Sequence, residues 1–495
     1  MSGFLLAIDQ GTTGSTAVVL SASDATVVAK ANREFQQHFP NPGWVEHDLD
    51  QIWASVEGAI GDALAQGDFD PKDCRGIGIT NQRETTVVWE RTTGNPIHRA
   101  IVWQDRRTAD ICAKLRADGH EPTFRSRTGL LFDPYFSGTK VKWILDRVEG
   151  SRARGAELCI GTIDSWLVYK LSGGVAHVTD ATNASRTLLY DIVKGAWGDV
   201  LCSVLDVPTE MLPEVRSCAE VYAETKGLSV LPDGIPIAGM AGDQQAALFG
   251  QTCFEAGDAK CTYGTGAFLL TNVGDEFRAP PEGLLTTIAW RLGDTTTYAF
   301  EGSSFIAGAA VQWLRDGLGL IASASEVETH AGKVDSAGEV VFVPALTGLG
   351  APHWDPHARG LIVGLGRDTT VAHLCRATLD GIALQIVDLI GAMERGGGEK
   401  LTRLRVDGGA AANDLLMQIQ ADLLDVPVDR PTNVETTALG AAYLAGLGAG
   451  VFPDTDAIKA AHAVERSFEP AMESEARAKR LQRWNDAIRR ARSDA

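Results

Sequence analysis

The residue types that could do chemistry in this chain fall at a few short stretches. An adjacent cation and anion, Arg83 and Glu84, stand in Asn81-Gln82-Arg83-Glu84-Thr85, and a carboxylate, Asp243, opens Asp243-Gln244-Gln245. Another carboxylate, Asp9, precedes the run Gly11-Thr12-Thr13-Gly14, and a similar run, Gly264-Thr265-Gly266, occurs in the second half. Turn glycines let successive backbone N–H groups converge on an anion, and threonine hydroxyls add donors, so both runs suit phosphate. Asp9 beside such an anion is unfavourable unless a cation lies between them; Mg2+, reached directly or through its waters, fits that place. An Arg fork next to a Glu acceptor can satisfy neighbouring hydroxyls of a small polyol, and the faces of Trp103, Tyr135 and Phe268 could cover its carbon backbone. Each feature also has a plainer reading: an ordinary hairpin with Asp opening its turn, a solvated turn, core aromatics, a helix N-cap at Asp243.

The elements that must position these residues alternate as in an α/β protein. Phe4 to Leu20 reads as two short apolar strands joined by the Gly/Thr turn, a β-hairpin. Gln51 to Ala65 has helical spacing, with Ile52, Trp53, Val56, Ile60 and Leu64 on one face, and Gly76 to Thr80 is a short buried strand that delivers Arg83 and Glu84 to its end. An apolar strand ends at Trp103, a helix runs from Thr139 to Val148, and Ile235 to Gly239 leads into a helix with Asp243 near its N-terminus. The second half restarts in the same order. Cys261 to Leu270 is strand, Gly/Thr turn and strand; Leu404 to Asp407 runs into Gly408-Gly409, followed by Asn413; Ala438 to Ala442 opens a small-residue helix. Adjacent glycines let a flat ring lie on backbone. Two similar domains, each offering a hairpin to a shared cleft, are expected, with the boundary between Gly250 and Gly257 and a solvated terminal helix beyond Glu473.

The totals bound the function. At 495 residues the chain exceeds one core, its apolar fraction of 44% is that of a globular protein, and its net charge of −19 disfavours nucleic acid and anionic membrane surfaces. Bound phosphate must therefore be held locally. No run reaches the roughly 18 apolar residues of a membrane span, and Asp9 follows too short an apolar stretch for a signal peptide, so the expectation is cytoplasmic. Eight scattered cysteines without a C-x-x-C pair predict buried thiols. Neither G-x-x-x-x-G-K-[ST] nor a strand-borne G-x-G-x-x-G occurs, so paired hairpins remain the route to a triphosphate.

Over nearly its whole length the chain resembles the FGGY carbohydrate kinases, within the actin, hexokinase and Hsp70 ATPase superfamily. The resemblance is carried by Asp9 to Thr13, Pro42 to Glu46, Asn81 to Thr85, Asp133 to Lys140, Gly242 to Gln245, Gly348 to Pro352 and Val406 to Gly409; the NQRET and AGDQQAALFG stretches are most similar to the members that phosphorylate glycerol. It implies two ribonuclease H-like domains, 1–250 and 251–495, facing a shared catalytic cleft, and transfer of the ATP γ-phosphoryl group to glycerol. It implies Arg83, Glu84, Trp103, Tyr135, Asp243, Gln244 and Phe268 around glycerol, with Asp243 as catalytic base. Gly11, Thr12, Thr13, Gly14, Gly264, Thr265, Gly308, Gln312, Gly409 and Asn413 match nucleotide positions, Asp9 and Asp243 the Mg2+ site, and a homodimer or homotetramer the assembly. Two departures stand out. Thr16 replaces an Arg that many relatives carry after the first turn, which predicts weaker nucleotide binding, and Thr225 to Ile235 has no Arg, which predicts insensitivity to an inhibitory sugar bisphosphate. A pentulose kinase of the same family and an actin- or Hsp70-like ATPase are the rival readings.

Overall fold

Phe4–Gln10 (β1) and Gly14–Ser21 (β2) pair antiparallel in unbroken register from Phe4↔Ser21 to Gln10↔Ser15. The alternating apolar residues of this hairpin are fully buried, which is why the sequence pattern shows it so clearly. In this computed structural model, which describes residues 3–493, the hairpin founds a six-stranded sheet. Val27–Glu34 (β3) pairs with β2; Cys74–Asn81 (β4) lies parallel to β1; Ala219–Glu224 (β5) and Pro236–Gly242 (β6) complete the order β5-β6-β4-β1-β2-β3. Helix Leu49–Leu64 (α1) covers one face with Ile52, Val56, Ile60 and Leu64 buried; Trp53 is only half-buried.

The second sheet repeats the plan. Ala259–Tyr263 (β7) and Ala267–Gly274 (β8) form its hairpin, Leu285–Leu292 (β9) and Thr295–Ser304 (β10) extend it, and Leu404–Asp407 (β11), Val428–Pro431 (β12) and Val464–Phe468 (β13) follow in the order β9-β10-β8-β7-β11-β12-β13. In each sheet the founding hairpin strand lies parallel to the strand that begins the next motif: β1 to β4, β7 to β11. The strand expected to end at Trp103 is only Ala100–Ile101, with Trp103 in the turn beyond. Helices Ser137–Arg147 (α2), Asp243–Gly250 (α3), Val371–Arg395 (α4), Asp414–Leu424 (α5), Thr436–Gly448 (α6) and Ser474–Ala491 (α7) pack around the two sheets. The terminal helix α7 is not simply solvated: Trp484, Ala487, Ile488 and Ala491 are buried, and the Trp484 indole donates to Asp388 at 2.8 Å.

Helix α6, from the second half of the chain, packs on the first sheet. Gly78 and Gly239 are register partners in β4 and β6, and a Cβ on either would stand 2.0 Å from Ala441 O and 2.2 Å from Ala445 N of that helix. Gly440 approaches Ala246 O of α3 just as closely, at 1.8 Å from its absent Cβ. Only glycine lets backbone meet backbone here.

Candidate active site

The ends of β1, β4 and β6 lie side by side, with Gln10 opposite Asn81 and Asn81 opposite Gly242. Three parallel strands therefore bring Asp9, the Arg83-Glu84 pair and Asp243 to one edge of the sheet, the edge where ligands gather in α/β folds. Asp243 is the first residue of α3, and the cap position itself is Gly242. Its carboxylate instead accepts from Gln244 N at 2.7 Å and pairs with Arg83 Nε at 3.1 Å, with a third of the side chain open to solvent. Burial, together with the carboxylates of Asp243 and Glu435, pushes the Asp9 carboxyl up to about 7, while Lys30 opposes the shift.

Arg83 is buried and every donor of its fork is engaged. Nη1 and Nη2 hold the two oxygens of Glu301 at 2.6 and 3.1 Å, Nη1 also reaches Gln245 at 3.2 Å, and Nη2 reaches Tyr135 Oη at 3.2 Å. Glu84 turns to a second buried arginine, Arg186, whose Nε donates to Oε1 at 2.7 Å; Nη2 of Arg186 reaches Glu301 at 2.8 Å. Two guanidiniums and two carboxylates thus alternate, and Glu301, on β10, ties this cluster to the second sheet. Burial opposes ionisation of Glu301, but Arg186 and Arg83 outweigh it and hold the carboxyl at about 2; at Glu84 burial prevails over the same arginines and the pKa rises. Glu84 also adopts a left-handed backbone, φ 59°. Such a conformation costs about 1–3 kcal/mol and is held by the hydroxyls of Thr86 and Ser137, both donating at 3.0 Å to its carbonyl.

Trp103 and Tyr135 meet edge to face at 5.6 Å between ring centroids, and the Trp103 indole donates to Thr12 Oγ1 at 2.9 Å, joining the aromatic wall to the first hairpin turn. The loop carrying Tyr135 is pinned by Lys140, fully buried on α2, whose ammonium donates to the carbonyls of Pro134, Tyr135 and Phe136 at 2.7, 2.6 and 2.9 Å. Burial lowers its pKa to about 8. Phe268, on β8, is half-buried, and Gln244 accepts from the buried ammonium of Lys260 at 2.5 Å.

Both hairpin tips close on themselves: Gly11 N donates to Gly14 O at 2.9 Å and Gly264 N to Gly266 O at 2.8 Å, leaving Thr13 and Thr265 exposed. Around the second tip, Ala307 N and Ala309 N donate to Thr265 O, and Gly308 N to Gly264 O. Gln312, at the end of the short helix Gly308–Gln312, is exposed. Beside the tip, Gly408 takes φ 86°, where a Cβ would stand 2.6 Å from Tyr263 O, and a Cβ on Gly409 would meet nothing within 4 Å. A flat ring therefore has open space over Gly409. Asn413 uses its side-chain oxygen to cap α5, accepting from Leu416 N at 2.8 Å. Thr16, register partner of Asp9, accepts from Asn32 at 2.9 Å, and no arginine among the described residues stands in its place on β2.

Residues 4–250 match the N-terminal domain model of the FGGY family of carbohydrate kinases, and residues 259–449 match the C-terminal domain model. The chain belongs to the FGGY family of carbohydrate kinases. It is 58% identical to the glycerol kinase of Myxococcus xanthus, over 99% of each chain, and 55% identical to that of Carboxydothermus hydrogenoformans, over 99% of this chain and 98% of the relative. The crystal structure of Plasmodium falciparum glycerol kinase with ADP superposes with a TM-score of 0.92 at 35% identity, covering 99% of this chain and 98% of that one. A xylulose kinase from Rhodospirillum rubrum, at 24% identity, 98% coverage of each chain and a TM-score of 0.85, shares the fold.

This FGGY kinase also places in the site residues that the sequence did not single out. Arg186, Glu301 and Lys260 are buried charged side chains contributed from remote stretches, and Gln245, beside Gln244 in the quoted motif, is a buried amide that joins them. Gln245 spans to the second sheet, donating to Thr287 Oγ1 at 3.3 Å and Ile288 O at 3.2 Å. The available signal was a charge inside an apolar run: Glu301 follows Tyr298-Ala299-Phe300, and Lys260 sits between Ala259 and Cys261.

Proposed function

We propose that this chain transfers the γ-phosphoryl group of ATP to a terminal hydroxyl of glycerol, giving sn-glycerol 3-phosphate and ADP. The observation that carries the reading is the convergence on Arg83, whose guanidinium joins Asp243, Tyr135, Gln245 and Glu301 in one water-poor cluster at the strand ends. The full-length likeness to curated glycerol kinases supports it. In this reading Arg83, Glu84, Gln244 and Tyr135 hold the hydroxyls, Trp103 and Phe268 cover the carbon chain, and Asp243 takes the proton of the attacking hydroxyl. Phosphoryl transfer asks little covalent chemistry of the protein, so positioning and charge do most of the work. Gly11 to Gly14 and Gly264-Thr265 cradle the phosphates; Gly308, Gln312, Gly409 and Asn413 line the nucleoside side.

Burial first, and then the carboxylates of Asp243 and Glu435, raise the Asp9 pKa, and carboxylate oxygens of this kind are the ligands that a hard divalent cation takes. Asp9 and Asp243 would hold Mg2+, directly or through water; when bound it neutralises charge on the phosphates. We assign residues 1–250 to the acceptor side and 251–495 to the second hairpin and the adenosine side, in a cytoplasmic homodimer or homotetramer. The structure has no helix, among the described residues, long and apolar enough to cross a membrane.

A coupled assay of ADP release tests the function. Release should depend on glycerol and exceed that with any pentulose at equal concentration. Faster turnover of a pentulose makes the chain a sugar kinase of another specificity; slow hydrolysis indifferent to glycerol makes it an ATPase.

A further inference from the structure

Lys260 is fully buried on β7, between Ala259 and Cys261, at a position where an aliphatic side chain would suit the strand. Burial of an ammonium is costly unless it is paired, and burial accordingly depresses its affinity for the proton, with Asp407 and Asp243 opposing. Its ammonium donates to Thr262 Oγ1 at 2.8 Å and, across the boundary between the two halves, to Gln244 Oε1 at 2.5 Å. An ammonium has donors only, so the amide must present its oxygen to Lys260. The consequence falls on the other end of the amide. No group among the described residues accepts from Gln244 Nε2, and that atom is not sealed from solvent, while the next residue back is Asp243.

We propose that Lys260 is a positioning residue that locks the Gln244 amide with its nitrogen toward the acceptor substrate, so that Gln244 serves as a hydrogen-bond donor beside the acceptor carboxylate of Asp243. The inference rests on the glycerol kinase reading and deepens it: one hydroxyl gives its proton to Asp243 while a neighbouring hydroxyl oxygen accepts a hydrogen bond from Gln244 Nε2. Without the ammonium the amide is free to flip, and an oxygen facing the substrate oxygen would repel it. Lys260 acts through Gln244 and does not itself touch the substrate.

The test compares wild type with Lys260→Met, Lys260→Arg, Gln244→Ala, Gln244→Glu and the Lys260→Met/Gln244→Ala double variant, measuring kcat and KM for glycerol and ATP alongside thermal melts. Lys260→Met and Gln244→Ala should each raise the glycerol KM about tenfold or more while leaving the ATP KM within about twofold, and the double variant should be no worse than the worse single. Lys260→Arg, which keeps a donor, should recover most of the loss. The preference for glycerol over propane-1,2-diol and propane-1,3-diol as competing ligands should shrink in Lys260→Met. Gln244→Glu keeps a partner for the ammonium but removes the donor, so it should melt like wild type and still lose glycerol affinity; this variant decides the matter even if Lys260→Met does not fold. Multiplying effects in the double variant, a defect confined to ATP, or normal glycerol affinity in Gln244→Glu overturns the inference alone. A wild type that does not phosphorylate glycerol overturns the function reading, and the inference with it.

Discussion

On the first sheet's side of the cleft, Arg83, Glu84, Arg186 and Lys140 are buried and engaged, and the site is drawn by charged side chains. On the second sheet's side, the hairpin tip is held by the N–H groups of Ala307, Gly308 and Ala309 on the carbonyls of Gly264 and Thr265, with glycines at 408 and 409 beside it. The same strand plan has been furnished twice in different materials. A small polyol offers only hydroxyls, and telling it from water takes fixed donors and acceptors. A nucleotide offers phosphates and a flat ring, which backbone N–H groups and bare glycine surface can meet. The charged half gains selectivity and pays in desolvation; the backbone half tolerates less change in shape.

The largest effect should come from Glu301→Gln, which leaves the two buried guanidiniums short of a counter-charge. Breaking a buried ionic cluster costs about 3–5 kcal/mol, read as a lower urea midpoint with an unchanged slope; a midpoint like that of wild type would mean the cluster contributes little beyond its mutual neutralisation. Next in size is Asp243→Asn, whose Oδ1 can still accept from Arg83 and Gln244 N. Turnover should fall at least about 100-fold while the melting temperature moves little, and normal turnover would place the base elsewhere. Gly308→Ala attacks the other half: its Cβ would stand 2.7 Å from Gly264 O, displacing the tip. Overpacking of this kind costs about 1–3 kcal/mol, and it should appear in the ATP KM alone; an equal rise in the glycerol KM would erase the distinction between the halves.

The smallest effect is a pH dependence of the charged half. Asp164, buried and accepting from Thr162 and Thr179 at 2.5 and 2.6 Å, has its carboxyl pushed up to about 7 by burial and by Asp180. A carboxyl whose folded pKa exceeds its unfolded value near 4 binds its proton more tightly in the native state. Its stabilisation is complete below about pH 4 and drains away as the pH rises through 7. Wild type should therefore melt lower at pH 8 than at pH 5, and Asp164→Asn should flatten that slope by about 1–3 °C. A slope identical in the variant would assign the pH dependence to other groups.

Both hairpins and their glycine turns were legible in the sequence, because a turn and its flanking strands are contiguous and their alternation is local. The strand ends carrying Arg83 and Asp243 were legible for the same reason. Arg186, Glu301 and Lys260 were not, since each acquires meaning only from a partner 16 or more residues away in another element. Helix α6 reads as a small-residue helix, but its seat on the opposite sheet depends on Gly78 and Gly239, glycines that read locally as ordinary members of buried strands. The terminal helix reads as solvated because its many charges mask the narrow stripe of Trp484, Ala487 and Ile488.

That seat of α6 has a mechanical consequence. Side chains that interlock act as teeth and resist turning, whereas bare backbone laid on bare backbone acts as a bearing. Gly78, Gly239 and Gly440 make such a bearing where α6 lies on β4, β6 and α3. Sliding of α6 along the strands would drive carbonyl oxygens into Cα hydrogens, so the contact fixes the helix against β4 and β6. A single added methyl at Gly78 would act as a shim that lifts α6 off β4, and one at Gly440 would part α6 from α3, the helix that Asp243 opens.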